Sequence, residues 1–247
     1  MAKPDRRHPV FYWLLKRILI GPPVRLLYRP RVSGRENVPS VGPVILAPNH
    51  LSFCDSIFVP LLSPRKAHFM AKDEYFTGKG VKGRLMRAFF SGVGAVPVDR
   101  SGGRAAQAAI DTGLGVLRRG EVFSLYPEGT RSPDGRLYRG RTGVARLALL
   151  SGAPVIPVGV IGTTEVQAAD EMRWHLGARP EIRFGEPLDF SRYEGMENDR
   201  YVLRAITDEV VAAILALSGQ EYVDMYATKA KALAASGGEP RELRDAA

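Results

Sequence analysis

From residue 44 onward, short apolar runs alternate with segments of helical periodicity, and few architectures satisfy that alternation. The runs Val44–Ala47, Ala67–Ala71, Ala95–Val98, Val122–Tyr126, Val155–Val160 and Glu181–Phe184 predict strands. The segments Ser56–Leu62, Gly83–Phe90, Ala105–Arg118, Gly143–Leu150 and Asp199–Leu217 predict helices. Strands interleaved with helices build an α/β layer structure. Pro157 interrupts one strand pattern and predicts an irregular or edge strand there. A further helix is expected over Glu221–Leu233, followed by a loose tail over 234–247, rich in Gly, Glu and Ala. With 247 residues, 45% of them apolar, the chain can bury one large core or two small ones.

Charge is segregated along the chain. Residues 1–40 carry a net +7, residues 41–151 a net +8 and residues 152–247 a net −6. A basic front with an acidic back suits a protein that faces something anionic. Cys54 is the single cysteine, which excludes an internal disulfide framework and a Cys-based zinc site.

A membrane surface is the first candidate for the anionic partner. In Pro9–Ile20, Phe11, Leu14, Leu15 and Ile18 form one helical stripe, with Lys16 and Arg17 roughly opposite. Gly21-Pro22-Pro23 is expected to stop this helix, and Val24, Leu26, Leu27 and Tyr28 follow as a second apolar patch. Tyr12 and Trp13 suit a membrane interface. The apolar run is far short of the ~20 residues that span a bilayer. A helix docked on the protein's own core fits the same pattern, and the segment alone does not separate the two.

Two constellations sit where strands end. The first is Pro48-Asn49-His50-Leu51-Ser52-Phe53-Cys54-Asp55, just past Val44–Ala47. On one continuous helix, residues five apart point about 140° away from each other, so His50 and Asp55 meet only if a helix starts between them. Ser52-x-x-Asp55 reads as a capping box, with Ser52 as the cap and Asp55 in the first turn, aimed back at the loop. For the pattern in isolation the bland reading is favoured, in which Asp55 only caps and His50 only bonds nearby backbone. The second constellation is Pro127-Glu128-Gly129-Thr130-Arg131-Ser132, past Val122–Tyr126, with Arg136, Arg139, Arg141 and Arg146 following. Guanidiniums on loops match phosphate oxygens, although an arginine-rich surface loop is common.

Taken together, these blocks resemble the PlsC-like glycerolipid acyltransferases, the lysophosphatidic acid acyltransferase group. Asn49–Asp55 is similar to that family's N-H-x4-D motif. Gly94–Arg100 is similar to its second block, with Pro97 in place of the usual aromatic residue. Tyr126–Ser132 matches the P-E-G-T-R-S block, and Val155–Val158 resembles the V-I-P-V strand. The four stand in the family's order across about residues 30–190. The resemblance implies a mixed, largely parallel sheet flanked by helices, with an amphipathic membrane-binding element over 1–30, an acyltransferase domain over 31–233 and the tail over 234–247. It implies acyl transfer from acyl-CoA or acyl carrier protein to 1-acylglycerol-3-phosphate, giving phosphatidic acid, with no further cofactor and no metal. His50 is then the base and Asp55 its partner, with Asn49 and Ser52 supporting the motif. Arg131, with Glu128, Gly129 and Thr130, forms the substrate-phosphate site, joined by Arg100 and Lys72. The interfacial reading of the N-terminus becomes the better one, and a peripheral position on the cytoplasmic face of the cell membrane follows.

Three alternatives remain. The acceptor is glycerol-3-phosphate or another lysophospholipid, or the chain is a hydrolase with Cys54 or Ser52 as nucleophile, or it is a non-catalytic binder of an anionic polymer or lipid. No G-x-S-x-G elbow surrounds Ser52. The aromatic residues show no interleaving with the basic patch, which argues against nucleic acid.

Overall fold

The computed structural model describes residues 9–98, 105–169, 171 and 173–236. Seven strands form one sheet: β1 (Arg31–Ser33), β2 (Val44–Pro48), β3 (Ala67–Lys72), β4 (Ala95–Val98), β5 (Val122–Ser124), β7 (Val155–Ile161) and β8 (Glu181–Phe184). Their order is β1-β8-β7-β2-β5-β3-β4. Every pairing in it is parallel except β7 with β8. A separate two-stranded parallel ribbon joins β6 (Leu137–Tyr138) to β9 (Tyr222–Val223).

The helices are α1 (Pro9–Leu14), α2 (Gly21–Tyr28), α3 (Asp55–Leu62), α4 (Glu74–Thr77), α5 (Gly80–Gly92), α6 (Ala105–Leu117), α7 (Gly143–Ser151), α8 (Thr163–Val166), α9 (Arg200–Ser218) and α10 (Ala227–Ala235). The central strand β2 is buried along its whole length, because both its faces are covered. Ile45 and Ala47 pack into a cluster with residues of α6, α7 and α9. Val44 and Leu46 pack into another with α2 and α3.

One expectation changes, and for Pro157 the irregular alternative holds while the edge one does not. The helix expected over Glu221–Leu233 gives way to strand β9 and then α10, because Tyr222 and Val223 pair with Leu137 and Tyr138. Pro157 lies in an interior strand, between β2 and β8. Its carbonyl accepts from Gly185 N on the β8 side, so its missing N–H faces that side too. There the pairing slips by one residue between Val158↔Phe184 and Val155↔Leu188, so the proline sits beside a bulge, where an interior strand tolerates it.

The N-terminal segment is helical, and Leu14 and Ile18 of its apolar stripe point away from the core rather than onto it. A π-helical stretch, Leu15–Leu19, follows α1, and Gly21-Pro22-Pro23 opens α2 as well as ending the preceding turn. Tyr12 and Lys16 face inward and are buried, whereas Trp13, Leu14, Ile18 and Leu19 are exposed. In α2, Leu26 and Leu27 are exposed too. The Lys16 ammonium donates to Pro60 O at 3.1 Å and Ser63 O at 2.6 Å, and Tyr12 OH donates to Pro60 O at 3.3 Å. The sequence explains why these carbonyls need partners. The residue four beyond Pro60 is Pro64, which has no N–H, so the carboxyl end of α3 takes its donors from the N-terminal segment.

Burial, with Arg35, Arg25 and Arg17 nearby, pulls the Lys16 ammonium down to about 7. The unfolded chain then binds more protons than the folded one between about pH 7 and 10, so stability rises with pH across that window, by at most ~1.4 kcal/mol per pH unit. Denaturation curves recorded from pH 7 to 9.5 should show this rise, and Lys16→Met should flatten it.

Candidate functional site

Strands β2, β5, β3 and β4 run parallel, so their carboxyl ends share one edge of the sheet. Such an edge is where open α/β sheets place their ligands. The loop after β2 brings His50 and the loop after β5 brings Glu128. Lys72 is the last residue of β3, and Arg100, beyond β4, lies outside the described residues.

The two loops are fastened to each other through the main chain of His50. Its N–H donates to Glu128 Oε1 at 2.9 Å, and its carbonyl accepts from Ser132 N at 2.7 Å. The second oxygen of Glu128 accepts from Tyr138 N at 3.1 Å, tying β6 to the same carboxylate. Both Glu128 oxygens are thus spent on backbone amides, and Glu128 is placed as a clamp rather than as a ligand for phosphate. Burial pushes its carboxyl up to about 7, against the two amides and the Lys231 charge, which pull the other way.

Asn49 sets where the first loop leaves the sheet. Its side chain accepts from Val160 N at 2.7 Å and donates to Val160 O at 2.9 Å. The amide therefore copies a strand residue and extends the pairing of β2 with β7 one step past Pro48. It also donates to Gln220 Oε1 at 2.7 Å.

The helix does start between His50 and Asp55, as the spacing requires, but Ser52 is not its cap. The cap position is Cys54, and the Ser52 hydroxyl donates to Gln167 O at 2.7 Å. Half of the expected capping box survives: Asp55 Oδ2 accepts from Ser52 N and Leu51 N, both at 2.7 Å. The same oxygen lies 2.9 Å from His50 Nδ1. A carboxylate oxygen that gathers two amide protons is an acceptor, so Nδ1 carries the ring proton and Nε2 keeps its lone pair. Asp55 is fully buried and the His50 side chain is 15% exposed.

The spacing of motifs did not single out Tyr126. Its ring stacks on His50 with centroids 3.8 Å apart, and its hydroxyl lies 3.2 Å from Ser56 Oγ. The only hint was an aromatic residue next to Pro127 at a strand end. Ser56 also lines an apolar cleft between the N-terminal segment and α3, with Tyr12, Ile20, Ile57, Leu61 and Val93. Cys54 is fully buried, and burial pushes its thiol up to about 12.

Around the second loop, Gly129 has φ +74°, and a Cβ there would stand 3.0 Å from Arg141 Cδ. Arg131 donates to Ala169 O, and Thr130 Oγ1 accepts from Lys231 Nζ at 3.0 Å. Among the described residues, no group of three His, Cys, Asp or Glu stands where it could hold a metal ion.

A model of the family described as Acyltransferase matches residues 29–161. A chloroplastic 1-acyl-sn-glycerol-3-phosphate acyltransferase of Brassica napus is 29% identical over 66% of this chain and 46% of its own. The Bacillus subtilis 1-acyl-sn-glycerol-3-phosphate acyltransferase is 26% identical over 73% of this chain and 85% of its own. The chain thus spans under half the length of the Brassica relative and most of the Bacillus one. The crystal structure of the 1-acyl-sn-glycerophosphate acyltransferase PlsC from Thermotoga maritima superposes with a TM-score of 0.56 at 26% identity, covering 77% of this chain and 72% of that one.

The Asn49 geometry yields a measurable cost. Asn49→Ala leaves the buried N–H and C=O of Val160 without those partners, at about 1–3 kcal/mol each. Chemical denaturation should show a loss of roughly 2–6 kcal/mol.

Proposed function

The chain belongs to the acyltransferase family, and on that premise we propose that it acylates 1-acylglycerol-3-phosphate to phosphatidic acid. The donor is a thioester, acyl-CoA or acyl carrier protein. The observation that carries this reading is the His50–Asp55 pair with Nδ1 held by the carboxylate. Nε2 accepts the proton of the acceptor hydroxyl as its oxygen attacks the thioester carbonyl. The C–S bond then breaks, and the imidazolium returns its proton to the departing thiolate. Asp55 orients the ring and stabilises the imidazolium. Tyr126 backs the ring, and Glu128 and Ser132 fix its main chain. Thr130 and Arg131 are assigned to the acceptor's phosphate, and Lys72 and Arg100 join them on the strength of the motif resemblance alone.

A hydrolase working through Cys54 or Ser52 is disfavoured. Cys54 is buried as a thiol, and the buried Ser52 hydroxyl is committed to Gln167 O.

The reading extends to the bilayer, where acceptor and product reside. Lys16 and Tyr12 are spent on α3, so the side chains turned outward are Trp13, Leu14, Ile18, Leu19, Leu26 and Leu27, flanked by exposed Arg17, Arg25 and Arg29. No helix among the described residues is long and apolar enough to cross a membrane. We assign this face to peripheral docking on an anionic leaflet, with the cytoplasmic face of the cell membrane as the proposed location.

His50→Ala should lower kcat for thioester-dependent acylation by about 10³-fold and Asp55→Asn by at least about 10²-fold, while Cys54→Ser stays near wild type. Wild-type rates in His50→Ala would overturn the mechanism. The assay pairs glycerol-3-phosphate, lysophosphatidic acid and other lysophospholipids with each donor. Ile18→Glu with Leu26→Glu should cut binding to anionic vesicles by about tenfold or more without unfolding the protein, read by vesicle sedimentation and circular dichroism.

A further inference from the structure

The residues matched by the family model end at 161, yet the segment from Gln220 to Ala235 returns to both motif loops. Gln220 meets Asn49 in the first and donates to Gly135 O at 2.6 Å. Lys231, on α10, meets Thr130 in the second. Its placement follows from the chain. Tyr138, whose N–H is held by Glu128, belongs to β6, which pairs with β9. From β9 the chain turns into α10, where Ala227 and Ala230 are buried in a cluster with Tyr138 and Val223. Lys231 lies one residue from Ala230 and four from Ala227, on the same side of the helix, so that packing carries its ammonium onto the loop.

A second cation is fastened to the same place. Arg141 packs its stem over Gly129, donates to Thr228 Oγ1 at 3.0 Å and lies over the Tyr226 ring at 5.2 Å. The Gly129-Thr130-Arg131 turn is therefore flanked by an ammonium carried on α10 and by the Arg141 guanidinium, which the start of α10 holds, besides its own Arg131. The nearby acid, Glu128, has both oxygens on backbone amides.

We propose that Lys231 is a binding residue for the phosphate of the acceptor, completing from the carboxyl-terminal helix the anion site that Thr130 and Arg131 begin. Its three N–H donors match a phosphate oxygen as a point charge, and the hydrogen bond to Thr130 fixes where that charge stands. The proposal rests on the reading that this loop receives the acceptor's phosphate.

The test uses steady-state kinetics of the full chain with lysophosphatidic acid and the preferred thioester. Lys231→Ala should raise KM for lysophosphatidic acid about tenfold, leave kcat at saturation within about twofold and leave KM for the donor unchanged. Lys231→Arg should restore KM to within about threefold. Inorganic phosphate should compete with lysophosphatidic acid in the wild type and correspondingly less well in Lys231→Ala. Should Lys231→Ala fail to fold by circular dichroism, Lys231→Met keeps the stem, lacks the charge and carries the same test. A lysine that merely balances Glu128 would lower kcat or the melting temperature with KM unchanged, and that result overturns the proposal. So does a KM change confined to the donor, which would place the donor's phosphates there instead. A wild-type chain inactive on lysophosphatidic acid overturns the functional reading and this proposal together, whereas an active wild type with an unaltered Lys231→Ala overturns this proposal alone.

Discussion

The His50 main chain is the joint on which the site depends. One peptide group donates to a buried carboxylate and the next accepts from the backbone of another loop, so two strand-end loops are locked by bonds that exclude water. The ring is then fixed separately, by Asp55 at one nitrogen and by the face of Tyr126. Fixing backbone and ring independently leaves the imidazole few ways to move, which is the condition for a proton acceptor whose lone pair has to meet a hydroxyl at one angle. Glu128 also explains why an acid stands in a loop otherwise rich in cations. Two buried N–H groups need an acceptor, and a side chain reaching both costs less than two orphaned amides.

The N-terminal segment follows the same logic with the opposite visible result. Proline at 64 leaves the Pro60 carbonyl, at the end of α3, without its helical donor, and a lysine ammonium answers it and the Ser63 carbonyl beyond. Its burial removes the cation from the outer face and leaves that face dominated by leucine, isoleucine and tryptophan. The helix that carries Asp55 at its start is thus held at its end by the segment assigned to the bilayer.

Most of the sheet was legible because its strands are apolar runs buried on both faces. β4 and β8 fall on the residues expected of them, and the β2, β3 and β7 runs extend one residue further. What escaped depends on partners distant in sequence. The two-residue strands β6 and β9 exist through each other, and neither has a pattern of its own. The direction of Lys16 was unreadable because helical periodicity identifies opposite faces without saying which one the protein covers. Pro157 marked an irregular strand or an edge, and only partners distant in sequence decide between them: the strand is interior and a bulge lies beside the proline. In the site, the meeting of His50 with Asp55 followed from the helix start, whereas the roles of Ser52 and Glu128 did not. Their partners, Gln167 O and Tyr138 N, are invisible to motif spacing.

These partners divide the site by origin. The bonds that fix His50 join residues within 50–138: the carboxylates of Asp55 and Glu128 gather main-chain amides, and one main-chain bond, from Ser132 N to His50 O, closes the frame. Beside the main chain of Val160 and Ala169, three side-chain-bearing contacts reach the same loops from outside, at Gln167, Gln220 and Lys231. Two of these three are met through side-chain ends, on long stems held by a short ribbon and a helix packed with alanines. A rigid inner frame with an outer ring of long polar side chains lets the surroundings of the loops be changed one residue at a time. The pair that moves the proton stays where the sheet put it.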